Sequence, residues 1–302
     1  MQLRVVILAL GIMTALLGAA MIPCWLLDVA DGRDEWPVFA ASATMLLLFG
    51  GGLVIMAGTR DERAGAREAF LLTVLVWVVL PAMAAIPFMG IGMSVTDAMF
   101  ESISGLTTTG STVMTGLDNQ PRGILLWRAI LQWFGGIGII VTAIAILPVL
   151  RVGGMQLFQL ESSDVSGKFV PRISEVSAQI GMIYLFISVA CAATYMLCGM
   201  TSFEAIAHAM TTVSAGGYST YDASFGAFYE TPAVPAAIFF MIVAGLPFSL
   251  LALAMIHGRV KPLLNDPQPR LFMGLIAAIA ITVFALRVLA DQIGRASCRE
   301  RV

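Results

Sequence analysis

Charge is what this sequence has least of. Only 12% of its 302 residues are Asp, Glu, Lys or Arg, against about a quarter in soluble domains, and that shortage excludes a water-soluble globule. Histidine occurs twice, and neither a Cys-x-x-Cys pair nor any zinc-like Cys/His spacing is present, so no metal centre of those ligands is expected. Nor do the four cysteines form a disulfide scaffold. Cys24 falls inside an apolar run, Cys298 near the C-terminus, and Cys191 and Cys198 on one expected helix, about 10 Å apart along its axis, which is too far to bridge. No cofactor and no nucleic-acid partner is expected.

In place of charge the chain has 59% hydrophobic residues and a mean hydropathy of +0.90. Apolar runs long enough to cross roughly 30 Å of hydrocarbon as helices recur along it. Seven are expected, near 5–27, 38–57, 69–90, 124–150, 177–199, 233–257 and 271–290. The first is longer than a signal-peptide core and is kept as a span. The fold class is therefore an all-α polytopic membrane protein embedded in a lipid bilayer.

Basic residues set the orientation. Arg60, Arg63 and Arg67, then Arg151, Lys168 and Arg172, then Arg259, Lys261 and Arg270 mark three cytoplasmic connections. Asp28, Asp31, Asp34 and Glu35, with Arg33 as the one base among them, mark an external one. The N-terminus is then cytoplasmic. The spans alternate without conflict only if 91–123 and 200–232, too polar to cross, both dip in from outside and return.

These two segments resemble each other. Phe100-Glu101-Ser102-Ile103-Ser104 pairs with Phe203-Glu204-Ala205-Ile206-Ala207, and each is followed by a tract rich in Thr, Ser and Gly. From Glu to glycine the distance is nine positions in one and twelve or thirteen in the other, so this pairing needs a short insertion. Ser94 with Asp97, and Thr201 with Glu204, have the spacing of helix N-caps. A short helix would thus start near the outer surface and aim its negative C-terminal end at the membrane centre.

Irregular backbone at membrane depth survives only where it is buried in protein or lines a wet cavity. Glycine allows backbone angles that aim successive carbonyls one way, and threonine adds hydroxyl oxygens. Rows of such carbonyls replace the water shell of an alkali cation. The expected ion-binding residues are Thr108, Thr109, Gly110 and Ser111 in the first hairpin, with Ser214, Ala215, Gly216, Gly217 and Tyr218 in the second. Gly217, before an aromatic residue, is preferred to Gly216 as the counterpart of Gly110.

"SGLTTTGSTV", "LLWRAILQWFGGIGIIVTAIAILPVL" and "MTTVSAGGYSTYD" resemble the Trk/Ktr/HKT superfamily of potassium transporters, most of all its Trk-type membrane subunit. The resemblance implies units of helix, pore loop and helix, four to a pore, behind an extra helix pair. On that plan 1–57 is the extra pair, 69–150 the first unit, 177–257 the second and 271–292 the start of a third. Units three and four are missing, so the chain is expected to be part of a longer protein and not to conduct alone. The tail 293–302 is set aside as non-native, because its arginines would fall on the external side. Also implied are a bacterial inner-membrane location, potassium as the transported ion, a homodimer and a cytosolic nucleotide-binding regulatory subunit. Arg151 to Glu175 is where that subunit could dock.

Bland roles compete with functional ones at single residues. Glu101 and Glu204 are read mainly as first-turn acids that satisfy helix donors, and His208, paired with Gly105 in the alignment, as a hydrogen-bonded helix residue. Gly135-Gly136-Ile137-Gly138 is read as a packing surface. Arg128 can snorkel or pair with a pore-loop carboxylate. Pro148 and Pro247 can kink their helices. The main alternative to a filter is sodium- or proton-coupled symport, disfavoured by the lack of ionisable residues at mid-span. An enzyme is not expected, since His208 with Glu204 is the one acid–base constellation in the chain and lacks a nucleophile at motif spacing.

Overall fold

The computed structural model describes residues 3–58, 65–150 and 169–299, with side chains described except at 66, 139–150, 169–176, 257 and 289–299. Every regular element among the described residues is helical. The chain divides into two compact units, Met1–Gly245 and Leu246–Val302.

In the first unit α1 (Leu3–Ala20) and α2 (Ile22–Ala30) form one apolar span interrupted at Met21, just ahead of Pro23. Helix α3 (Trp36–Ala57) returns against it. Glycines let the backbones touch: a Cβ on Gly50 would stand 2.7 Å from the Gly11 carbonyl oxygen. In lipid, such small-residue contacts supply the packing that the hydrophobic effect cannot. Helix α4 (Ala66–Ala84) contains Pro81, and α5 (Ile86–Gly90) resumes after Ala85 with Pro87 in its first turn.

Two short capped helices stand between the spans. Helix α6 (Val95–Leu106) and, later, α9 (Ser202–Val213) have 12 residues each, about 18 Å at 1.5 Å per residue. Ser94 caps α6 by accepting from the Asp97 amide at 3.1 Å, and Thr201 caps α9 with Glu204 returning the bond to the Thr201 amide at 2.8 Å. Each is followed by extended chain and by a further helix: the 29-residue α7 (Arg122–Leu150) after the first and the 12-residue α10 (Ala233–Ala244) after the second, with α8 (Phe169–Leu197) leading into α9.

The second unit holds α11 (Phe248–His257), α12 (Val260–Asn265) and α13 (Pro267–Arg299). The helix expected over 233–257 is broken between Ala244 and Phe248, at Pro247, whereas α7 runs unbroken through Pro148. Among the described residues five stretches are long and apolar enough to cross a membrane: Leu3–Ala30, Trp36–Ala57, Arg67–Gly90, Ser177–Leu197 and Pro267–Val288. The broken α10–α11 pair supplies a sixth when counted together, and α7, with 29 residues, occupies the remaining expected position. This is a multi-pass helical membrane protein. Arg60, Arg63, Arg151, Lys168, most of the 151–175 docking loop and residues 300–302 lie outside the described residues.

Candidate functional site

The caps and backbone angles of the two hairpins match at a spacing of 107 positions, not the 103 that pairs Phe100 with Phe203. Ser94 and Thr201 are the N-caps, Thr107 and Ser214 the C-caps. Thr108 and Ala215 both have φ +55°, Gly110 has φ +79° and Gly217 φ +76°. No insertion is needed. Gly217 is thereby the counterpart of Gly110, and the residue matching His208 is Glu101 rather than Gly105.

Positive φ recurs at one position and the next but one in both segments, with Thr109 and Gly216 between them on the negative side, a backbone far from a regular helix or strand. Thr108 is β-branched, and left-handed backbone there is strained, a sign that its surroundings enforce it. Among the described residues no hydrogen bond reaches the carbonyl oxygens of Thr108, Thr109, Gly110, Ala215, Gly216 or Gly217. Ser111 differs: its carbonyl accepts from Ser104 Oγ at 2.6 Å and lies 3.1 Å from the Tyr218 hydroxyl, so it offers no free oxygen. The hairpins meet at their tips. A Cβ on Gly110 would stand 1.9 Å from the Gly216 carbonyl oxygen.

One arginine of α7 ties the hairpins together from behind. Arg128, 1% exposed, donates through Nε to Glu101 Oε1 at 2.7 Å, through Nη2 to Thr112 Oγ1 at 3.1 Å and through Nη1 to the Ser219 carbonyl at 2.9 Å. Its guanidinium also sits 4.1 Å from the Tyr218 ring centroid. One turn along α7, Gln132 accepts the Tyr218 amide at 3.0 Å. Gly135 and Gly136 then let the ends of α6 and α9 approach: a Cβ would stand 2.1 Å from the Leu106 carbonyl at Gly135, and 3.0 Å from Ser214 Cβ at Gly136. The glycine run is a packing surface, as expected, except Gly138, which faces open space.

Toward the helix N-termini, Asp31 pairs with Arg122 and Asp28 Oδ1 accepts the Gly123 amide at 2.8 Å, capping α7 from another helix. Asp31, Asp118, Thr201 and Glu204 line one cleft of about 840 Å³. The connections expected to share one side of the membrane do gather at one end.

Two short capped helices, each ending in an open-carbonyl strand and backed by a long helix, are the arrangement that the superfamily resemblance implies. The family model for TrkH, described as a cation transport protein, matches residues 36–293. The chain belongs to the TrkH family. It is 39% identical to the Trk system potassium uptake protein TrkH of Vibrio parahaemolyticus over 95% of this chain and 60% of that protein. It is 38% identical to the TrkH of Escherichia coli over 91% and 58%. The crystal structure of the potassium transporter TrkH from Vibrio parahaemolyticus superposes with a TM-score of 0.84 at 37% identity, covering 95% of this chain and 59% of that one. The chain thus spans about 60% of the length of the curated TrkH relatives it matches. Those relatives are transporters by name.

Within this TrkH-family chain, three site features escape sequence reasoning. Glu101 is not a first-turn acid: it is the seventh residue of α6, 0% exposed, and holds Arg128, Thr112 and the Val113 amide. Only Glu204 plays the capping part. Gln132 and the Tyr218 side chain act across the hairpins, and spacing alone carries no signal for either. A 107-position match of cap to cap would have found the register.

Proposed function

We propose that this chain supplies two filter-forming hairpins of a potassium-transporting pore. The observation that carries the proposal is the repeated strand with positive φ at Thr108 and Gly110, and at Ala215 and Gly217, whose carbonyls are free of hydrogen bonds. Free carbonyl oxygens at the negative ends of two short helices suit a dehydrated monovalent cation. Thr108, Thr109 and Gly110 with Ala215, Gly216 and Gly217 are the ion-facing set in this reading; Ser214 and Tyr218 flank the second strand and Ser111 braces the first. Potassium is the cargo, by likeness to relatives named for its uptake.

The reading extends to organisation. Residues 1–57 form an extra helix pair, 69–150 and 177–257 the two units and 271–292 the start of a third, in a bacterial inner membrane with the N-terminus inside. A homodimer with a cytosolic nucleotide-binding regulatory subunit is the proposed assembly. The ion pair between Glu101 and Arg128, each bonded to the other, supports a filter over symport that runs through the Glu101 carboxyl.

The test is ion flux into vesicles holding the transporter with this segment. Gly110→Ser is expected to weaken preference for potassium over sodium. Selectivity that does not change removes Gly110 from the filter.

A further inference from the structure

At the 107-position spacing the hairpins share more than backbone. The seventh residue of each short helix, Glu101 in α6 and His208 in α9, is buried, and each reaches the hydroxyl two positions past the left-handed glycine. Thr112 Oγ1 donates to Glu101 Oε1 at 2.9 Å, and Ser219 Oγ lies 3.1 Å from His208 Nε2. Each hydroxyl then accepts a main-chain amide two residues on: Met114 N to Thr112 Oγ1 at 3.1 Å, Tyr221 N to Ser219 Oγ at 3.1 Å. Helix side chain, hydroxyl and amide form the same chain of bonds in both units.

The two differ in chemistry. Glu101 is gripped by Arg128, an ion pair with almost no exposure. His208 Nδ1 lies 2.8 Å from the Glu204 carbonyl oxygen, which can only accept, so Nδ1 carries the proton and Nε2 of the neutral ring accepts from the Ser219 hydroxyl.

We propose that Glu101 and His208 are the positioning residues that hold the two filter strands, and that His208 is a proton-sensitive latch on the second. A neutral ring fixes Ser219. Once protonated, Nε2 becomes a donor, the Ser219 hydroxyl must turn its hydrogen elsewhere, and its oxygen is shared between the ring and the Tyr221 amide. The surroundings bear on that proton from several elements. Glu204, bonded to the Tyr221 hydroxyl, favours it; Arg128 of α7, bonded at the Ser219 carbonyl, opposes it. Phe225 and Phe228 cross the imidazole nearly at right angles, with ring centroids 5.7 and 5.1 Å from its own, and Tyr195 of α8 lies tilted against Phe225. The latch rests on reading these strands as a filter.

In a His257→Gln background the ring signal of His208 is assigned by its loss in His208→Gln. Histidine-labelled protein in lipid nanodiscs is followed by ¹⁵N NMR, with amide exchange at Tyr221 and Met114. The expected result is an Nδ1–H tautomer at neutral pH, displaced at Nε2 by Ser219→Ala, and on acidification a drop of about tenfold in Tyr221 protection. Met114 keeps its protection as the internal control, and in His208→Gln the Tyr221 amide loses its pH dependence. An Nε2–H tautomer, a ring that never protonates down to about pH 4, or a protonated ring with Tyr221 unchanged each overturns the latch. Rubidium and sodium flux is read separately, in vesicles holding the transporter with this segment. Lack of rubidium-selective flux sinks the filter assignment and leaves the amide result standing, whereas selectivity unchanged by ring protonation sinks the latch.

Discussion

Arg128 and Glu101 meet at 2.7 Å, with side chains 1% and 0% exposed. The pair joins α7 to α6, and Arg128 also reaches the Ser219 carbonyl of the second hairpin, so its bonds fix both hairpins relative to the long helix. Removing one partner of a buried ion pair leaves the other charge uncompensated. Replacing both is far milder.

Arg128→Met is therefore expected to destabilise the chain by about 3–5 kcal/mol, and Glu101→Gln with Arg128→Met to recover more than half of that loss. Thermal unfolding in detergent over the double-mutant cycle measures it. Additive losses would mean that the two charges are not coupled.

Gly110 and Gly116 separate backbone strain from contact. Both have positive φ, +79° and +70°, but only Gly110 has a carbonyl 1.9 Å from where a Cβ would stand. Gly116→Ala is expected to cost about 1 kcal/mol, the ordinary penalty of left-handed backbone. Gly110→Ala should cost at least twice as much, because the Gly216 strand has to move. Equal losses in unfolding midpoint would show that the hairpin tips do not touch.

The glycine run of α7 offers a similar contrast. A Cβ at Gly135 would press to 2.1 Å from the Leu106 carbonyl, while at Gly138 it meets open space. Gly135→Ala is expected to cost about 1–3 kcal/mol by overpacking. At Gly138 the same change should be neutral or mildly stabilising, since alanine is the better helix former. A stability ranking in the opposite order would contradict this packing.

Asp31 and Arg122 make a pH-dependent contact. The hydrogen bond from Arg122 holds the Asp31 carboxyl below its ordinary range. A carboxylate whose folded value is depressed contributes stability above its unfolded value, about 3.9, and loses it as pH falls through the lower folded value. Acid unfolding of the native chain should therefore steepen below about pH 4, and Asp31→Asn should flatten that limb while lowering stability at neutral pH only slightly. Identical acid limbs for the two proteins would dismiss the contact.

Length and polarity of the apolar runs carry the whole helical plan: low charge with recurring runs of about 20 apolar residues leaves no other class of structure in lipid. Ser94 and Thr201 announce the short helices, because a hydroxyl three positions before an acid satisfies donors that the helix itself cannot. The Thr/Gly tracts mark irregular backbone at depth. All of these are local signals, settled by neighbours within a turn or two of chain.

Register between the hairpins was not local. The Phe-Glu-x-Ile match is real as a string, yet it aligns the third residue of α9 with the seventh of α6, and only folded backbone places Glu101 opposite His208. Likewise Arg128 could have snorkelled to a surface. It turns inward because Glu101, Thr112 and Ser219, drawn from segments as many as 91 residues away, converge to satisfy every bond it makes. A buried charge is tolerated only where such partners assemble, and tertiary packing assembles them. Local chemistry along the chain is enough for a membrane-spanning helical protein with two glycine-bearing hairpins; which side chains lock those hairpins, and at what register, depends on contacts between segments far apart in sequence.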